Sequence, residues 1–148
     1  MRRIKRILGL LIIGVLVPSS ILNAATRTAS ATGNWSNTAT WGGASAPIIT
    51  DDVIINSGVT VTIDVASAQC ASLTFVANTV SSNVNLGTNS LTVTGLVFMP
   101  RPDRNSRGNG VTVNAGTFTC GSLTMEALTG NRENFSELLP EQLLLTVH

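Results

Sequence analysis

The chain has 148 residues, 43% of them hydrophobic and 11% charged, with a formal net charge of +1. So much apolar character with so little charge excludes a disordered chain, and the length fits one ordinary domain plus a short leader. Four cations fall within the first six residues; without them five arginines face eight carboxylates, a formal −3 with no lysine, which excludes a basic surface for nucleic acid.

Residues 1–25 read as a signal peptide. Arg2, Arg3, Lys5 and Arg6 precede an unbroken apolar run from Ile7 to Val17, followed by Pro18 and the small residues Ala24 and Ala25. The run is shorter than the roughly 20 residues a membrane span needs. The expectation is therefore a secreted or cell-surface protein with no membrane association after leader cleavage. Residues 26–34 read as a flexible lead-in and residues 35–130 as the folded domain. Strands are predicted at 52–55, 59–63, 71–76, 84–86, 90–94, 96–99, 111–113, 117–119 and 122–125, each short and ending near a Gly or Asn suited to tight turns. Period-two alternation assigns Val61, Ile63, Leu73, Phe75, Leu91, Val93, Leu123 and Met125 to an apolar interior, with the intervening Thr and Ser facing water.

The strands carry a repeat. Gly58-Val59-Thr60-Val61 and Ser72-Leu73-Thr74 recur as Gly110-Val111-Thr112-Val113 and Ser122-Leu123-Thr124, and a third Ser-Leu-Thr begins at Ser90. Self-similar strand phrases are the mark of rungs that bury one another's apolar faces, so the predicted fold is all-β: a right-handed parallel β-helix or β-solenoid with rungs of roughly 18–25 residues, two rungs per 50-residue repeat. A two-sheet β-sandwich is the alternative. Export favours a disulfide between Cys70 and Cys120. A two-rung separation, however, puts them nearly ~10 Å apart, beyond the ~7 Å limit for bridged Cα atoms, so two unpaired, partly buried thiols are expected.

Trp35-Ser36-Asn37-Thr38-Ala39-Thr40-Trp41-Gly42-Gly43, then Pro47, Asp51-Asp52-Val53-Ile54-Ile55, Gly58 and Val61-Thr62-Ile63-Asp64, resembles the opening of eight-glycine-type extracellular domains. It is also similar to the N-terminal part of large secreted bacterial β-helix proteins with Cys-x-Ser-Leu-Thr rungs. The resemblance covers roughly residues 33–125 and implies a surface or adhesin-like protein of the kind exported by the type IX route. It carries no catalytic set onto this chain.

Candidate chemistry is sparse. Trp35 and Trp41 would suit either a sugar platform or the closing of an apolar stack. Asp51, Asp52 and Asp64 offer oxygen ligands for Ca²⁺, yet lack the alternating spacing of a calcium loop and read better as solvated turns. Arg101, Arg104 and Arg107 lie in the Pro-rich segment 99–110, where a loop would display them with or without a ligand. The lone histidine is His148 and tyrosine is absent, so the usual proton-transfer and nucleophile-activating groups are missing. The expectation is a non-enzymatic β-repeat scaffold without cofactor or metal, its partners cell-surface glycans or other surface proteins. A carbohydrate-binding module and the remnant of a polysaccharide-processing β-helix are the alternatives. Residues 131–148 break the pattern, switching to Glu and Leu. They read either as a helix capping the stack or as a disordered, out-of-frame tail of a truncated gene. A one-base shift through 140–147 can restore Gly-Thr-Val-Thr-Val-Asn-Gly.

Overall fold

A computed structural model describes residues 24–77, 79–102 and 108–126. It is all-β, a parallel β-solenoid of about four turns, which decides against the sandwich. Ten strands alternate between sides of the stack: β1 (Thr26–Ala29), β2 (Gly33–Asn34), β3 (Asp52–Ile55), β4 (Thr60–Thr62), β5 (Ser67–Cys70), β6 (Ser72–Phe75), β7 (Ser82–Asn85), β8 (Ser90–Met99), β9 (Asn109–Thr112) and β10 (Thr117–Met125). One side runs β1-β3-β6-β8-β10 and the opposing sheet β2-β4-β7-β9. β5 adds a third side, pairing with the first half of β8, whose Ser90–Val93 also pairs with Thr117–Cys120 of β10. All pairings are parallel, so each rung climbs to the next through a turn or loop rather than a hairpin.

The column Arg27, Val53, Leu73, Val97, Leu123 marks successive rungs. Their lengths are therefore 26, 20, 24 and 26 residues, and Leu73 and Leu123 stand two rungs apart. The third Ser-Leu-Thr belongs to a different side, because Leu91 pairs with Ala68 and Phe118 rather than with Leu73. The Gly-Val-Thr-Val phrases are offset by two residues in space, since Val61 stacks on Val84 and then Val111. A two-residue slip keeps the same side chains inward, so the phrase survives the offset.

The interior is a column of aliphatics. Val53, Ile55, Val61, Leu73, Phe75, Val84, Leu86, Leu91, Val93 and Val97 are essentially inaccessible. Two predicted core residues differ: Leu123 is only partly buried and Met125 is 46% exposed, both in the last described strand. Phe118 and Cys120 in the first half of the same strand stay buried, so the exposure is confined to its second half, where β8 is the one neighbour among the described residues. Two polar side chains outside the predicted strands, Ser82 and Asn109, are buried side by side on β7 and β9. The Ser82 hydroxyl donates to the Asn56 carbonyl (3.1 Å) and accepts from the Gly58 amide (3.0 Å), pinning the turn before β4. Ser82→Ala removes two hydrogen bonds but leaves the Gly58 amide on the Val80 carbonyl and the Asn56 carbonyl accepting from the Val59 amide, so an expected loss of about 0.5–1.5 kcal/mol is measurable by urea denaturation.

The predicted flexible lead-in over 26–34 is corrected. Thr26–Ala29 and Gly33–Asn34 form the first rung on β3 and β4, so the stack starts at Thr26 and not at residue 35. Their sequence conceals this because Thr-Arg-Thr-Ala puts an arginine where later rungs carry Val or Leu. β5 also escapes sequence reading, as Ser-Ala-Gln-Cys has weak strand character and owes its conformation to pairing with β8. The tail 131–148, the end of the predicted domain over 127–130, and the leader over 1–23 lie outside the described residues.

Candidate functional site

The N-terminal end holds the densest set of singled-out residues. After β2 the chain forms a 3-10 helix over Thr38–Trp41, capped by the Asn37 side chain on the Ala39 amide (3.0 Å) and closed by Gly42 at φ 64°. The helix packs on β1 and β2, where the Thr40 carbonyl accepts from the Ser30 amide (3.0 Å). Trp35 and Trp41 are 2% and 3% exposed, in an edge-to-face pair with ring centroids 5.2 Å apart and planes at 80°. The Trp41 indole N–H donates to the Trp35 carbonyl at 2.7 Å. A sugar platform needs an accessible ring face, so the platform expectation for Trp35 and Trp41 is corrected: they close the apolar stack. Such a pairing adds about 0.5–1.5 kcal/mol beyond burial.

The three candidate aspartates do not converge. Asp51 is fully buried, Oδ1 accepting from the Ala25 amide (3.0 Å) and Oδ2 from Arg27 Nε (3.0 Å) and the Ile48 amide (3.2 Å). It is thus neither a solvated turn nor an open ligand. Burial alone would raise its carboxyl, but the Ala25 amide, the Arg27 guanidinium and the Ile48 amide together hold it below the usual range. Asp52 is exposed and accepts from the Ser72 hydroxyl. Asp64 accepts from the hydroxyl and the amide of Ser36, bonds that also lower its carboxyl. Among the described residues no group of three His, Cys, Asp or Glu could hold a metal.

Arg101 is exposed, and its amide donates to Glu126 Oε2 (2.9 Å). Arg104 and Arg107 lie outside the described residues. A groove of about 370 Å³, missed at the sequence level, runs beside β5 between Ser67–Gln69 and the segment Ala46–Ile49, with Trp35 and Val65 on its wall. It exists because β5 pairs only with β8 among the described residues; the first rung supplies a loop there instead of a strand. Ile48 and Ile49 stand 46% and 42% exposed on its rim. Among the described residues no carboxylate or guanidinium lines it.

Cys70 and Cys120 are free and buried. Each pairs with Val93, one on either side, so a full rung separates them. That is the ~10 Å two-step spacing a disulfide cannot span. Burial, with Asp52 and Asp51 adding to it, pushes the Cys70 thiol up to about 12, and burial also raises Cys120. Neither is a nucleophile at neutral pH. A thiol reagent should label neither cysteine in the native protein and both in denaturant; native labelling on mixing would contradict their burial.

The chain belongs to the class of parallel β-solenoids, and its first described rung holds the Trp35–Trp41 pair and the Asp51–Arg27 ion pair. Comparison with protein-family models, curated proteins and solved structures yields no match.

Proposed function

We propose that the chain is a secreted or cell-surface scaffold, adhesin-like and without catalytic activity, whose partners are surface glycans or other surface proteins. The observation that carries this reading is the use of its reactive groups. The two tryptophans, Asp51 and both cysteines are all spent inside the stack, and among the described residues Thr50 Oγ1 alone is a buried side-chain polar atom without a partner. Polar groups committed to the fold build a rigid display surface rather than a reaction centre. Among the described residues the groove beside β5 is lined by no acid or arginine, which favours the scaffold reading over the polysaccharide-processing alternative.

An antibody raised against the purified protein, applied to intact cells and culture medium of the producing organism, tests the location. Surface labelling or recovery from the medium is expected, and confinement to the cytosol would overturn the reading. Incubation with a panel of polysaccharides should release no reducing ends; release that persists after rigorous purification would replace the scaffold with an enzyme.

A further inference from the structure

The first residue held by the ladder is Ala25, not Thr26. Its carbonyl accepts from the Asp52 amide at 2.9 Å and its nitrogen donates to Asp51 Oδ1 at 3.0 Å, while Ala24 before it is exposed. Arg27 and the Ile48 amide both serve Oδ2, so Ala25 is the partner of the other oxygen of a fully buried carboxylate. Cleavage after Ala25 would remove both bonds and leave Oδ1 unpaired, a costly state for a buried acceptor. Cleavage one bond earlier keeps them and changes the donor. Water adds to the Ala24 carbonyl carbon, the Ala24–Ala25 C–N bond breaks, Ala24 leaves as a carboxylate, and the Ala25 nitrogen takes up protons to become an ammonium.

We propose that leader peptidase cuts between Ala24 and Ala25, and that the α-ammonium so created pairs with the buried Asp51 carboxylate and completes closure of the N-terminal end. The proposal rests on the export reading and sharpens it to one bond. It makes Asp51 a doubly paired anion, with Arg27 on Oδ2 and the new terminus on Oδ1. Other charged and titratable groups near the terminus are few among the described residues. Arg27 on β1 is a like charge, Asp52 at the head of β3 a second carboxylate bonded to Ser72, and the Cys70 thiol stays neutral inside the stack. Two carboxylates against one neighbouring cation favour the protonated amine.

Lys5 is the only lysine in the chain, so a protein cut at this bond has one primary amine. The full gene, leader included, is expressed in a bacterial host, and the exported product is sequenced from its N-terminus and titrated with an amine-reactive ester against pH. The expected N-terminus is Ala25. The native amine should titrate at least about one unit above the ordinary α-amino range of ~7.7–8.0, and react about tenfold more slowly at pH 7 than the same protein in urea. Asp51→Asn should abolish the difference. Because the urea reference uses the unaltered protein, the test stands even where that variant fails to fold. An exported chain beginning at Thr26 or elsewhere, or a native amine that titrates as it does in urea, overturns the proposal alone. A chain that keeps Met1 and stays in the cytosol overturns both the proposal and the export reading.

Discussion

Replacing Gly116 with alanine is expected to lower the stability of the stack by about 3 kcal/mol, roughly 12 °C or more in melting temperature for a domain of this size. Gly116 closes the turn that begins at Val113, its amide donating to the Val113 carbonyl (2.9 Å), and it sits directly on Asn89 of the rung below. A Cβ there would stand 2.2 Å from the Asn89 carbonyl oxygen, 3.1 Å from that of Val113 and 3.2 Å from Leu86 Cβ. Two of these are backbone atoms, and the Asn89 oxygen also accepts from the Thr117 amide (3.2 Å), so relief requires opening the ladder at the start of β10. Gly87 is the matched control. It has open space around its missing Cβ but a φ of 59°, and one rung on the equivalent turn position is filled by Asn114 at φ 50°. Gly87→Asn should therefore cost little and Gly87→Ala about 1 kcal/mol, the penalty of a left-handed conformation rather than of contact. Thermal unfolding of the three variants separates the two causes, and an undisturbed Gly116→Ala would mean that the rungs are less closely stacked there.

Asp51→Ala should cost about 3–5 kcal/mol at neutral pH, since it strands the Ala25 and Ile48 amides and the Arg27 guanidinium. Arg27→Ala should cost less, because its side chain is 21% exposed and the carboxylate keeps its amide donors. The effect has a pH signature. The folded carboxyl lies below its unfolded value, so its stabilisation is complete above about pH 4 and is lost as pH falls through the folded value. The gap between wild type and Asp51→Ala in chemical denaturation should thus be constant from pH 5 to 7 and shrink in acid. A gap independent of pH would assign the loss to packing alone.

Much of the stack was legible because its signal is local. Val-Thr-Val and Ser-Leu-Thr alternate apolar with polar residues, and the pleat turns that alternation into inside and outside. The register of Ser72 and Ser122 two rungs apart likewise follows from repetition. Legibility failed where pairing rather than composition imposes the strand, as in β5, and where a rung carries an exception inward, as Arg27 does beneath Val53. At the site, the pattern offered Asp51 as a surface acid because Asp51-Asp52 resembles a turn. Only the crossing of the loop before β3 over β1, which brings residues 24 and 26 positions apart together, makes it a buried anchor. The groove was illegible for the same reason, being made by a strand that the first rung omits.

The buried tryptophan pair of the first rung bears on how copies of this molecule meet. Parallel strands give the stack two unlike ends, so copies that join end to end must do so head to tail, a contact that does not close and continues into a filament. Such growth requires both ends to be available. With the 3-10 helix packed on β1 and β2 and the paired tryptophans buried beside it, the apolar face of the first rung is covered, so a copy adding there would be held by backbone pairing along the outer edge of β1 and not by apolar burial, which makes growth at that end the weaker step.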